Sequence, residues 1–345
     1  MSSPLLRSSG TARSRWLAPL LLGGLAAACA PEADLVVYVA HDQVYSEPLI
    51  QRFEEETGLR VRAEYDSEAS KTIGLVNRIR SEQNRPRCDV FWNNEVGHTV
   101  ALAAEGLLAT YDSPAAAEIP ETFRDAERRW TGFGARARVL IVNTDLMDPA
   151  EVTGMDDLLD PKWKGKVGMA RPLTGTTLTH AAALVDVVGE EAAWEYLRAV
   201  KALNDAGDLN LSPGNGYTKD QVANGQLHFG WTDTDDFNDA REDGKPVAAV
   251  YPDQDGLGTF LIPNTVAILA EAPHPDAARQ FVDWLLRPEV ERDLAFSRAA
   301  QIPVRADIER PPHVTSELNF MEVDFQKLGE SLVERQKALQ ELFLD

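Results

Sequence analysis

Leu35-Val36-Val37-Tyr38-Val39-Ala40-His41-Asp42-Gln43 begins the stretch that decides the fold, and Val90-Phe91-Trp92-Asn93-Asn94-Glu95 closes it. Leu35 to Val39 is a short apolar, β-branched run suited to a buried strand. A helix is expected to follow, with Glu47-Pro48 in its first turn, Leu49, Ile50 and Phe53 on its apolar face, and Gly58 at its end. Leu59 to Tyr65 alternates apolar and polar residues as a second strand. Cys88 to Trp92 reads as a third, ending in Asn93-Asn94-Glu95. Polar groups therefore collect where strands end, which is where open α/β sheets hold their ligands.

The rest of the chain continues the alternation. Helices are expected near 71–82 and 96–105, the latter stopped by Gly106-Leu107-Leu108. Gly132 to Asn143 pairs two glycines with alternating apolar and basic residues, as a strand crossing between two lobes would. A second crossing is expected within 256–269. Between them lie expected strands at 166–169 and 227–231 and helices at 176–188, 190–204 and 218–224. Helices at 275–286, 288–296 and 318–343 follow. At 345 residues the chain suits two cores better than one. The expected fold is two doubly wound α/β lobes joined by two crossings, with a hinge and a cleft. The domains are 34–137 for the first part of lobe 1, 138–263 for lobe 2, and 264–345 for the return to lobe 1.

The first 28 residues stand outside that count. Arg7, Arg13 and Arg15 make a basic start, and Trp16 to Ala28 is apolar and ends in small residues, as in a secretory signal. Leu25-Ala26-Ala27-Ala28-Cys29 resembles a bacterial lipobox, with Ala26 in the slot that favours leucine. On that reading Cys29 carries the lipid and 29–33 is a tether; the alternative is a plain signal cut near Ala28 or Ala30. The chain has two cysteines, and with Cys29 lipidated only Cys88 remains besides it, so no intramolecular disulfide is expected after processing. The formal charge is −21, and loss of the three signal arginines makes it −24. Such a surface disfavours nucleic acid and anionic lipid as partners.

Three segments carry a family resemblance. The Leu35–Glu95 stretch resembles the opening of the extracellular solute-binding proteins of ABC importers, in particular their ferric-iron group. Glu271 to Ala278 followed by Phe281-Val282-Asp283-Trp284-Leu285-Leu286 is similar to a pattern near their C-terminus, and Gly106-Leu107-Leu108 to a stretch after one of their helices. The resemblance implies the type II periplasmic-binding-protein fold, an interlobe cleft, a membrane permease as partner, and a monomer held in the periplasm or at the cell surface.

Four constellations follow strand ends. His41, Asp42 and Gln43 sit in the first strand-to-helix loop, where the family places a metal contact; Asp42 also suits a helix cap. Glu95 matches a family glutamate that ligates metal, and equally a helix-capping acid. Thr174, Gly175 and Thr176 stand at a helix start, where free amides and the helix dipole favour an anion; in the family this loop holds a synergistic anion. Thr234 and Asp235 occupy the place of the family's adjacent tyrosine pair, so carboxylate would replace tyrosinate there. Asp42, Glu95 and Asp235 are then the expected metal ligands, hard oxygen donors suited to a hard cation. Asn215 and Tyr217, in a turn before a helix, are further ligand-binding candidates.

The expected function is capture of iron(III) or a related metal ion, with or without a bound anion, for delivery to the permease. The same residues would suit a small zwitterionic, phosphonate or carboxylate solute. A metal-dependent hydrolase is a distant alternative, because no nucleophile elbow, phosphate-binding loop, zinc-type His/Cys spacing or dinucleotide fingerprint is present.

Overall fold

The computed structural model describes residues 33–66, 72–312, 314 and 318–344. The signal segment, most of the tether and Cys29 lie outside the described residues. In chain order the elements are β1 (Leu35–Val39), α1 (Gln43–Thr57), β2 (Val61–Tyr65), α2 (Ile73–Ser81), β3 (Val90–Asn93) and α3 (Gly97–Ala104). Next come β4 (Thr131–Asn143), β5 (Val167–Ala170), α4 (Gly175–Val187), α5 (Glu190–Asp205), β6 (Asn210–Ser212) and α6 (Asn215–Ala223). The remainder is β7 (Phe229–Asp233), α7 (Thr234–Glu242), β8 (Val247–Val250), β9 (Leu261–Ile268), α8 (Pro275–Leu285), α9 (Pro288–Phe296) and α10 (Phe325–Leu344).

Two sheets share one long strand. Along the hydrogen-bonded path the order is β2-β1-β3-β9-β4-β7-β5-β6, with β8 also on β4. β4 divides its pairing: Thr131 to Ala137 lies against β9, whereas Arg138 to Asn143 lies against β7 and β8. A register shift between Phe133 and Ala135 bends the strand where Gly134, at φ 39°, takes a conformation that side-chain-bearing residues avoid. The chain crosses back through Phe260, whose carbonyl accepts from the Arg138 N–H at 2.9 Å, into β9. The fold is therefore the expected one, two doubly wound halves joined by two crossing strands.

Each sheet is covered on both faces, and the central strand β1 accordingly reads as an unbroken apolar run. In the first, Val37, Val39 and Trp92 face the helices α1 and α8, while Val36, Tyr38 and Phe91 face α2 and α3. In the second, Leu140, Val142 and Trp231 face α4 and α5, while Ile141 meets Val222, Ala223 and Ala240 of α6 and α7. Burial of these side chains at roughly 25 cal/mol per Å² supplies the main drive for each half.

Some local expectations change. α1 starts at Gln43, not near Glu47, because the Asp42 carbonyl accepts from the Tyr45 and Ser46 N–H groups and makes the first turn upstream of Pro48. β7 runs on to Asp233, and the acidic stretch after it is the helix α7. α10 does not complete the first half alone. Leu328, Leu332, Leu339 and Phe343 enter the second core, while Gly329 lies so close to Val100 of α3 that a Cβ there would sit 2.3 Å from it.

Candidate functional site

Five strand or helix ends meet at one cavity of about 60 Å³, room for roughly two waters or a single small ion with its ligands. From the first half come Asp42, after β1, and Asn94, after β3; from the crossing strand comes Arg136. The second half contributes the N-termini of α4 and α6, through Thr174 to Thr177 and Asn215-Gly216, and the end of β7 with Asp233, Asp235 and Asp236. An outer cavity of about 470 Å³ shares Asp42, Asp235 and Asp236 and adds Tyr45, Asp239, Asp243 and Arg298.

The floor is an ion-pair network assembled across the β4–β7 ladder. Arg138 and Asp233 are cross-strand partners, so their side chains leave the sheet on one face. Arg138 Nη1 donates to Asp233 Oδ1 at 2.7 Å, and its guanidinium lies 5.6 Å from the Trp231 ring centroid. Thr176 Oγ1 and Asn215 Nδ2 both donate to Asp233 Oδ2, at 2.6 and 3.0 Å. Burial would raise the Asp233 pKa, but Arg138 and Arg136 hold it below the usual carboxylate range. Arg136 Nη1 donates to Asp235 Oδ2 at 3.3 Å, and Nη2 donates to the Asn94 carbonyl. Burial opposes the Arg136 charge, and Asp235, Asp233 and Asp42 more than restore it.

Above the floor the carboxylates cluster. One oxygen each of Asp233, Asp235 and Asp236 lies within 4.8 Å of the others, close enough to share one cation. Asp236 Oδ2 accepts from Thr232 Oγ1 at 2.7 Å, and Asp235 Oδ1 from the Asp236 N–H at 3.0 Å. Tyr45 at the rim keeps its proton, since burial and then Asp235, Asp239 and Asp42 push its pKa up.

The residues expected from sequence divide. Asp42, Thr174, Gly175, Thr176, Asn215 and Asp235 line the inner cavity. Glu95 does not. It is fully buried and accepts from Asn93 Nδ2 at 3.0 Å, the His98 N–H at 3.1 Å and Thr179 Oγ1 at 2.8 Å, with His98 Nδ1 2.8 Å away. Burial alone would raise its pKa; His98 and these donors lower it. Thr234 is also buried and accepts from the Ala137 N–H at 3.2 Å, so the adjacent pair facing the cavity is Asp235-Asp236. His41 packs its ring 5.3 Å from Trp92. Gln43 is exposed and bonds Glu47, and Tyr217 is exposed on a separate groove beside β6. Arg136, Arg138, Asp233 and Asp236 went unread as site residues. The local signs were the alternation of arginine in β4 and, for Asp233 and Asp236, the acidic run from Asp233 to Asp239.

Two covered sheets, two crossing strands and a polar cavity between the halves define a two-lobed solute-binding protein. Residues 48–322 match the family described as bacterial extracellular solute-binding protein, and the chain belongs to it. It is 26% identical over 318 residues to the major ferric iron-binding protein of Neisseria meningitidis, covering 87% of this chain and 88% of that one. Its fold matches the ferric binding protein from Campylobacter jejuni with a TM-score of 0.79 at 23% identity, over 89% of this chain and 99% of that one. It also matches the periplasmic binding protein AfuA from Actinobacillus pleuropneumoniae, solved with exogenous fructose-6-phosphate bound. That likeness has a TM-score of 0.76 at 24% identity and covers 90% of this chain and 97% of that one.

Proposed function

We propose that this protein is the cargo-binding component of an ABC importer, that it captures iron(III) in the cleft, and that it passes it to a membrane permease without catalysing a reaction. The observation that carries this reading is the meeting of Asp42 from the first half with Asp235 and Asp236 from α7 at one cavity. Hard carboxylate oxygens from two lobes suit a hard trivalent cation, and a cation shared between lobes would hold them closed. The relatives named for ferric iron support the choice of metal. The metal set is then Asp42, Asp235 and Asp236, with Glu95 as a structural acid.

The lobes of this reading are 34–137 with 264–345, and 138–263, with α10 resting on both. Cys29 anchors the mature chain at the outer face of the cytoplasmic membrane, and the working form is a monomer. Among the described residues no helix is long and apolar enough to cross a membrane.

A second reading rests on a different observation. Arg136 lines the cavity with its Nε buried and without a hydrogen-bond partner, beside two helix N-termini. That side of the cavity would suit a phosphonate, phosphate ester or zwitterion, or an anion bound together with the metal. Calorimetry separates the two. Iron(III) supplied as its nitrilotriacetate complex should bind the stripped protein with a Kd below about 1 μM. Binding of fructose 6-phosphate or an aminophosphonate at that strength, with no uptake of iron, would reject the iron reading.

A further inference from the structure

We infer that Glu291 is a positioning residue for the cleft: from α9 it grips the bulge at Gly134 and so aims Arg136, and through Arg136 the carboxylate of Asp235 that faces the cargo. The inference rests on the reading of this cleft as the cargo site and names the support that holds its geometry.

Gly134 stands outside the β4–β9 register, which passes from Phe133 opposite Asn264 to Ala135 opposite Pro263. Its two backbone groups go to side chains instead. The N–H donates to Glu291 Oε1 at 2.7 Å, and the carbonyl accepts from Asn264 Nδ2 at 2.6 Å. The same Glu291 oxygen accepts from the Val304 N–H at 2.7 Å, and Asn264 Nδ2 also donates to Gln301 Oε1 at 2.5 Å. Ala135 then exchanges both backbone hydrogen bonds with Ile302, each at 2.7 Å. The bulge is thus tied to α9 and to residues 301–304 at the point where β4 leaves the first half.

Core packing does not account for an acid here. Glu291 is 1% exposed, and its neighbours on α9, Val290, Leu294 and Ala295, are buried and apolar. Its Oε2 is buried without a hydrogen-bond partner, and burial pushes its pKa up. A buried polar atom left bare is costly, so the gain must come from what Oε1 holds. What it holds sets the register downstream. A one-residue slip in a strand turns every following side chain to the other face, and Arg136 is two residues on. Arg136 is buried, lines the inner cavity, and donates to Asp235 Oδ2 at 3.3 Å and to the Asn94 carbonyl. A binding constellation keeps its geometry only when the groups beneath it are locked.

The test pairs two substitutions of Glu291 with a stability control, using iron(III) nitrilotriacetate as probe in calorimetry of the stripped protein. Glu291→Leu keeps the bulk and removes the acceptor; it should weaken iron binding at least about tenfold. Glu291→Gln keeps an oxygen for both N–H groups and should bind within about threefold of wild type. Ile79→Ala, in the α2 core and lining neither cavity, should melt lower and bind as wild type does. A Glu291→Leu protein that melts lower yet binds like wild type would overturn the inference, as would a Glu291→Gln loss equal to that of Glu291→Leu. Should Glu291→Leu fail to fold, Gly134→Ala decides. Its new Cβ would meet nothing closer than 3.4 Å, but φ 39° is strained for alanine, so the bulge should shift and affinity fall likewise; unchanged affinity rejects the inference. If wild type takes no iron, crystal structures of the stripped wild type and the folded variant replace the titration. Arg136 displaced from Asp235 in the variant upholds its positioning by the bulge and removes only the proposed cargo, whereas Arg136 in place rejects it.

Discussion

Glu95 and Asp235 each lie two residues beyond the end of a buried strand, β3 and β7, and they end in opposite roles. Glu95 precedes its helix. Its carboxylate can reach forward over the first turn to the His98 N–H, and Thr179 from α4 and Asn93 complete the set. Asp235 is already the second residue of α7, because that helix starts directly after β7. It accepts from the next N–H, that of Asp236, and turns its other oxygen toward Arg136 and the cavity. An acid at a strand end becomes structural or solute-facing according to where the next helix begins. Residue type alone does not decide it.

The largest effect that would break this contrast is on cargo affinity. Asp235→Asn combined with Asp236→Asn should weaken iron(III) binding by about a thousandfold, or ~4 kcal/mol, through loss of two hard anionic ligands. Glu95→Gln should stay within a few-fold of wild type in the same titration. Equal losses from both changes would end the distinction.

Stability should show the reverse order. Glu95→Ala takes the side-chain acceptor from the His98 N–H and one of the acceptors of Asn93 and of Thr179 in a fully buried place, at a cost of about 3 kcal/mol in urea unfolding. A loss within experimental error would mean that the partners find other acceptors and that Glu95 is open to another role. Thr179→Val removes one donor of that set and should cost about 1 kcal/mol with no change in Kd.

Much of the fold was readable before these contacts were known. β1, α1, β2 and β3 follow from local patterns, as do the crossings, because the alternation of buried strands and amphipathic helices is short-range. The Thr174–Thr176 loop, Asn215, Asp42 and Asp235 were readable as well, since strand-to-helix turns reveal themselves by composition. β6 and β8, short and only partly buried, carry no such pattern.

The smallest expected effect concerns Asp253, a carboxylate that has neither Glu95's full donor set nor Asp235's arginine. Burial, then Asp156 and Asp157, push its pKa up to about 6 from 3.8. A raised folded pKa means that the native state is favoured below the unfolded value, and that this advantage is lost as pH rises through about 6. Asp253→Asn should therefore stabilise the protein by up to about 1 kcal/mol near pH 7.5, a figure reduced for its contact with solvent, and the gain should shrink toward pH 4. Asparagine also tolerates the positive φ of 58° at this position. A gain independent of pH would assign the effect to something other than the charge.

By itself the sequence determined two doubly wound halves, their crossings, the family resemblance and most of the cavity's loops. Each of these is recorded in patterns a few residues to a few turns long. The tertiary structure alone decided that Arg138 meets Asp233, 95 positions away, and that Glu95 is captured by Thr179, 84 positions away. Both pairings depend on strand register and helix placement set by the two cores, and neither partner's neighbours in sequence carry any trace of the other.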